Sequence, residues 1–331
     1  MHEQQKTAPV SLVAQLALHP RPPADFRLTL WKPSHFPTRL EIHAALVSWR
    51  TFVVDGLPCG VRMVPTADGW QATVFAADAW SERHTHILTH RLTTGYGLGD
   101  DLTRFHARFE EDPVLASSLR ALRGMRSSCP ESTFELLILA VLLQNTTMRR
   151  SRDMLDAILN LAGGQLLFDG VCLSHFCTPQ ALLALGQGPL RELARVGYRD
   201  KTLLAIAEFF ANRPDDASPD SPEALLNELC GIRGVGPYTA GVAAASAFRD
   251  SRAYGLDVWN RRILARALGA EEEVSPPDLR RMIQDRFAPF EGLAVECLVE
   301  HEYLAKPVCP VYNTEKDARQ ASFLWPRPEN G

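Results

Sequence analysis

The sequence predicts a mainly α protein, with a two-lobed all-helical core preceded by an antiparallel β-sheet domain. Three observations predict it. The first hundred residues hold short β-branched or aromatic runs, WRTFVVDG (49–56), CGVRMVP (59–65) and GWQATVFAA (69–77), split by the turn pairs Asp55-Gly56 and Asp68-Gly69. Beyond Asp100 the apolar residues fall at helical spacing, as Leu102, Phe105 and Phe109 do. GIRGVGPYTAGVAAASAF (231–248) then gathers two glycines, a proline and an alanine-rich run at one bend.

Each element follows from local chemistry. FRLTLW (26–31) reads as a further strand of the N-terminal sheet. VSLVAQLAL (10–18) is short, lacks a basic flank and is broken by Gln15, so it is not a signal peptide. An aspartate cap opens the helical stretch DDLTRFHARFEEDPVLASSLRALRGM. PESTFELLILAVLLQNTTMRRSRDMLDAIL (130–159) is apolar enough to be a central helix for its first half. Further helices are expected over 179–186, 189–195, 200–212, 222–230, 237–248, 258–268, 277–287 and 292–305. The domains predicted are a β-rich unit over 1–100, a helical core over 101–305 and a proline-rich tail over 306–331.

At 331 residues and 46% hydrophobic content the chain can bury a sizeable core. Its 35 Lys plus Arg against 39 Asp plus Glu, a net −4, argue against capture of nucleic acid by bulk charge. Seven scattered cysteines fit reduced thiols, and no apolar run reaches membrane-spanning length, so a monomeric cytoplasmic protein is expected. HTHILTH (84–90) and CLSHFC (172–177) lack a paired ligand set, and neither a metal nor a cofactor is predicted.

The glycine bend carries the chemistry. Pro237 suits the first turn of a helix, because its missing N–H would have no partner there. Gly234 and Gly236 leave the preceding backbone bare, so the amides and the positive helix end form a site for one phosphate. Ala240, Ala243, Ala244 and Ala247 make a small-residue stripe that lets two helices approach. Between Arg233 and Arg266 six arginines face two aspartates, a basic patch in an acidic chain suited to a phosphate backbone. A glycine-containing helix turn without a ligand is the plainer reading. Asp257, in GLDVWNRRILARAL (255–268), is in its simplest role an N-cap. Placed beside bound DNA it would repel phosphate, a cost that chemistry on a developing sugar cation would justify.

The pattern I-x-G-V-G-x-x-T-A, followed about twenty residues later by L-D-V and a basic helix, resembles the helix-hairpin-helix DNA glycosylase superfamily. YGLGDDLTRFHARFEEDPVLASSLRALRGMR (96–126), FELLILAVLLQNTTMRR (134–150), FCTPQALLAL (176–185) and VGYRDKTLLAIAEFF (196–210) extend that resemblance to its alkylpurine and 8-oxoguanine branch. It implies a helix-hairpin-helix glycosylase core whose partner is double-stranded DNA holding a damaged or modified base, which is flipped out before its N-glycosidic bond is cut. Asp257 matches the family's catalytic aspartate. Bifunctional members carry a lysine two residues past the second glycine; Tyr238 stands there, which implies a monofunctional enzyme leaving an abasic site. The two downstream cysteines, Cys297 and Cys309, fall short of the four that iron–sulfur members use.

The resemblance assigns phosphate contacts to Gly234, Val235, Gly236, Thr239, Arg199, Lys201 and Arg261. It assigns the base pocket to Tyr238, Trp259, Phe134 and Tyr198, and the gap-filling wedge to Gln144 and Asn145. Alkylated bases are the favoured substrate, since a cationic base already leaves readily. Excision of a hypermodified base from phage DNA and a non-catalytic DNA-binding module are the alternatives.

Overall fold

Asp55 and Gly56 adopt φ values of 45° and 81°, the paired left-handed turn that matches the twist of a tight hairpin. This turn closes one hairpin of the N-terminal sheet. The computed structural model describes residues 10–304, apart from 35, 37, 45, 214–218 and 272. The strands are β1 (Ser11–Leu18), β2 (Glu41–Ala44), β3 (Val47–Val54), β4 (Leu57–Thr66) and β5 (Gly69–Ala76). They pair antiparallel in the order β1-β5-β4-β3-β2. The run at 10–18 is thus an edge strand, joined to β5 with a bulge between Leu12 and Ala14.

FRLTLW is not a strand. Phe26–Leu30 forms α1, because Asp25 caps it by accepting from the Leu28 amide at 2.7 Å. A longer helix, α2 (Glu82–Gly95), also lies within the stretch expected to be β-rich. Ile87, Leu88 and Leu92 bury its inner face, and Ser81 and His84 form a capping box at its start. Both helices pack on the sheet core around Phe52, Val61, Met63 and Val74.

The helices that follow are α3 (Thr103–Phe109), α4 (Ala116–Ala121), α5 (Thr133–Leu143) and α6 (Met148–Ala162). The apolar first half of 130–159 is the expected central helix, and the second half forms a helix of its own. Gln144 leaves helical geometry with ψ 129°, Asn145 takes φ 48°, and Thr147 caps α6. Next comes a hairpin of β6 (Gly164–Phe168) and β7 (Val171–His175), which the sequence reading missed although Asp169-Gly170 repeats the turn signal of Asp55-Gly56. Leu166, Phe168 and Leu173 pack it against Ile42, Trp49 and Phe75 of the main sheet. The chain continues through α7 (Pro179–Leu185), α8 (Gln187–Glu192), α9 (Asp200–Phe210), α10 (Pro222–Cys230), α11 (Pro237–Phe248), α12 (Val258–Ala267), α13 (Pro276–Phe287) and α14 (Glu291–Leu304). The tail expected over 306–331, with Cys309, lies outside the described residues.

Two helical cores result. α5 to α11 share one apolar cluster, centred on Leu137, Leu155, Leu203 and Ala240. α3, α4 and α12 to α14 share another, centred on Phe105, Leu264, Ile283 and Leu298. The segment joining α11 to α12 passes from the first cluster to the second and carries Asp257 at its end. No helix among the described residues is long and apolar enough to cross a membrane.

Candidate active site

The bend between α10 and α11 has the geometry its glycines require. Gly234 sits at φ 85°, and a Cβ there would overlap Thr202 Oγ1 of α9. Gly236 is extended at φ −88° with open space where a Cβ would lie. The Val235 amide is engaged by Ile232 O at 3.0 Å, and the Val235 side chain is buried. Val235 is therefore a core residue of the turn, which corrects its assignment to phosphate. The amides of Gly234, Gly236, Tyr238 and Thr239 have no backbone partner among the described residues and lie together at the start of α11. Such a cluster of free donors at a positive helix end fits one phosphate.

Arg199 does not belong to that surface. It is buried at 7% exposure and donates to Val141 O, Val196 O and Gln144 O. Val141 O and Gln144 O belong to the end of α5 and the following bend, and Val196 O to the turn before Arg199, so the residue is a clasp rather than a phosphate contact. Arg261 likewise donates to Val274 O at 3.2 Å. Lys201 is exposed in the first turn of α9 with no partner among the described residues. The basic patch is smaller than its composition implies. Arg249 pairs with Asp100, Arg252 with Asp250 and Arg266 with Glu302.

Asp257 is the N-cap of α12. Its Oδ1 accepts from the Trp259 amide at 2.7 Å and the Asn260 amide at 2.8 Å, and Asn260 returns the bond to the Asp257 amide. Oδ2 accepts no hydrogen bond from the described residues, so a fixed carboxylate keeps one oxygen available. Tyr238, in the first turn of α11, feels this charge. Burial and the Asp257 carboxylate both push its phenol above the usual tyrosine range, while Arg280 pulls the other way. Tyr238, Ser246, Arg252, Tyr254, Gly255 and Arg280 line a cavity of about 440 Å³ beside α11. A second, of about 430 Å³, shares Ser246, Tyr254 and Gly255 and extends to Asn260 and Glu296.

The remaining predicted pocket residues are dispersed. Phe134 is buried in the first helical core against Phe176 and Phe210, and lines no described cavity. Tyr198 is 61% exposed with the Arg199 guanidinium 4.7 Å from its ring centre. Trp259 is 45% exposed on α12, outside both cavities. Gln144 and Asn145 lie at the bend between α5 and α6, and Gln144 Nε2 reaches Thr239 Oγ1 at 3.3 Å. Tyr254 and Arg280 were missed, because neither belongs to a local motif and only the packing of α13 brings them to Tyr238.

No protein-family model matches the chain. A curated protein of Methanothermobacter thermautotrophicus, a probable N-glycosylase/DNA lyase, is 26% identical over 235 residues, spanning 64% of this chain and 72% of that one. Among solved structures, the 3-methyladenine DNA glycosylase of Archaeoglobus fulgidus superposes with a TM-score of 0.71 at 18% identity, over 88% of this chain and 99% of that one. The Clostridium acetobutylicum 8-oxoguanine glycosylase/lyase bound to DNA superposes with a TM-score of 0.59 at 17% identity, over 79% and 87%. Fold and curated relative thus make this chain similar to the helix-hairpin-helix DNA glycosylase superfamily that its hairpin resembles.

Proposed function

We propose that the protein is a monofunctional DNA glycosylase that hydrolyses the N-glycosidic bond of a flipped, damaged base and leaves an abasic site. The observation that carries this reading is the pairing of a capped carboxylate, Asp257, with a tyrosine where bifunctional relatives hold lysine. The open amides of Gly234, Gly236 and Tyr238 grip one phosphate, Lys201 adds a cation nearby, and Thr239, which is buried, supports the turn from behind. The two helical cores act as lobes, with the flipped nucleotide between them.

Chemistry then follows from charge. As the bond from C1′ to the base nitrogen breaks, its electron pair leaves with the base and C1′ becomes positive. The Asp257 carboxylate stabilises that cation, and Oδ2 takes a proton from the water that attacks it. Tyr238 supplies no amine, so no Schiff base forms and the strand is not nicked. Gln144 and Asn145 fill the vacated space in the duplex. An alkylated, cationic base needs the least assistance to leave and is the first substrate to test.

Duplexes carrying single damaged bases, incubated with the protein and then treated with alkali, test this. Strand breaks that appear only after alkali, with free base released, support the reading. A protein–DNA adduct trapped by borohydride overturns the monofunctional assignment.

A further inference from the structure

The cavity beside α11 is polarised in a direction that a cationic base does not need. We propose that Arg280 is a specificity-determining residue that stabilises negative charge gathering on an uncharged base as it departs, extending excision beyond cationic alkylated bases. This rests on the glycosylase reading above.

Charge on the cavity wall is one-sided. Among the described residues its two cations are Arg252 and Arg280, and no carboxylate lines it. Arg252 is neutralised by Asp250, with Nε to Oδ1 at 2.9 Å and Nη2 to Oδ2 at 3.1 Å. Arg280 makes no ion pair with a described carboxylate; its guanidinium carbon lies 5.3 Å from the Tyr254 ring centre. A side-chain hydrogen bond to the Tyr254 phenol also engages the guanidinium, which holds the cation in place and leaves its other N–H groups to donate.

Shape agrees with a flat ligand. Two tyrosine rings, Tyr238 and Tyr254, share the cavity with the small residues Gly241, Ala245, Ala253 and Gly255. A Cβ at Gly255 would lie 2.6 Å from Tyr238 Oη, so the glycine lets the ring lie directly on the α11–α12 segment. Burial raises both phenols, which keeps them protonated as hydrogen-bond donors.

Asp257 stands outside the cavity lining, and Tyr238, which lines it with Arg280, feels the carboxylate and the guanidinium with opposite sign. That is the polarity needed when an uncharged base leaves: C1′ turns positive near the anion while the base turns negative near the cation. Both bonding electrons pass to the base, water adds to C1′, its proton goes to Asp257, and the base anion is protonated from solvent. A base already cationic leaves neutral, draws nothing from Arg280, and is repelled by it on entry.

Single-turnover excision by the full chain tests this on one duplex sequence holding hypoxanthine, 8-oxoguanine or 7-methylguanine. Arg280→Gln is expected to slow release of an uncharged base by about 100-fold, the loss typical of one donor to a developing anion. Release of 7-methylguanine should change by less than about threefold, and Arg280→Lys should restore part of the loss. Equal losses on all three bases, or weaker binding of an abasic-analogue duplex with a shallower salt dependence, make Arg280 a structural or phosphate residue and overturn the proposal. A wild-type protein that releases 7-methylguanine but neither uncharged base overturns it while leaving the glycosylase reading intact; one that releases no base sinks both.

Discussion

Gln144 Nε2 donates to Thr239 Oγ1 across 3.3 Å, tying the bend after α5 to the first turn of the hairpin helix, 95 residues away. The backbone of that same bend is held from the other side by Arg199, whose Nε donates to Val141 O at 3.1 Å and whose Nη2 donates to Gln144 O. The bend after α5 is thus joined directly to both the start of α9 and the first turn of α11.

Arg199→Met leaves three carbonyls, two of them buried, without their donor, and should lower stability by about 3 kcal/mol, seen as a lower urea midpoint. Lys201→Ala should stay within about 0.5 kcal/mol of wild type. Its effect belongs in DNA affinity, with the slope against salt reduced by about one. If Arg199→Met folds as stably as wild type and loses affinity instead, the clasp is misassigned.

The two glycines of the bend should separate in experiment. Gly234→Ala forces a Cβ into Thr202 Oγ1 at a φ of 85°, and both the fold of the bend and DNA binding should suffer. Gly236→Ala meets open space at an ordinary φ, so stability should hold within about 0.5 kcal/mol. Affinity for DNA should still fall, because the methyl group crowds an approaching phosphate. Thermal melts and binding titrations on the two variants check this.

Asp257→Asn keeps a good capping side chain, so the protein should fold and bind as before. Asp257→Ala should lose about 1 kcal/mol of stability from the missing cap. Both should lose excision by at least about 100-fold, since the anion facing C1′ is gone. Single-turnover rates set against urea midpoints separate cap from catalyst. A fully active Asp257→Asn ends the proposed mechanism.

Acid should weaken the fold through its shielded histidines. Burial holds the pKa values of His175 and His106 below the ordinary histidine value, and His175 Nδ1 donates to Phe176 O at 2.9 Å. On acidification the unfolded imidazoles take up protons first, so stability is full above about pH 6.5 and declines below it. A double variant, His106→Gln with His175→Gln, should show a shallower decline in urea midpoint between pH 7 and pH 5. An unchanged slope would assign the loss to other groups.

Much of the architecture was legible in the sequence because it rests on short-range chemistry. Asp55-Gly56, Pro237 after Gly236 and the Asp257 cap each act within a few residues, and the structure carries them where the chain implied. Errors arose where local signals competed. FRLTLW alternates like a strand, yet one hydrogen bond to Asp25 makes it a helix. The His-rich segment hid α2, although Ile87, Leu88 and Leu92 already carried helical spacing.

By itself the sequence determined the hairpin, the aspartate in register with it and the missing lysine, since these depend on residue type and spacing along one strand of chain. Only the tertiary structure decided which side chains are free. Arg199 and Lys201 are two residues apart, but burial against the end of α5 commits the first to backbone carbonyls and leaves the second exposed. Tyr254 and Arg280 come to Tyr238 from separate elements through packing of α11, α13 and the segment that joins α11 to α12. Burial and partnership are properties of surfaces in contact, and those surfaces exist only once the chain has folded.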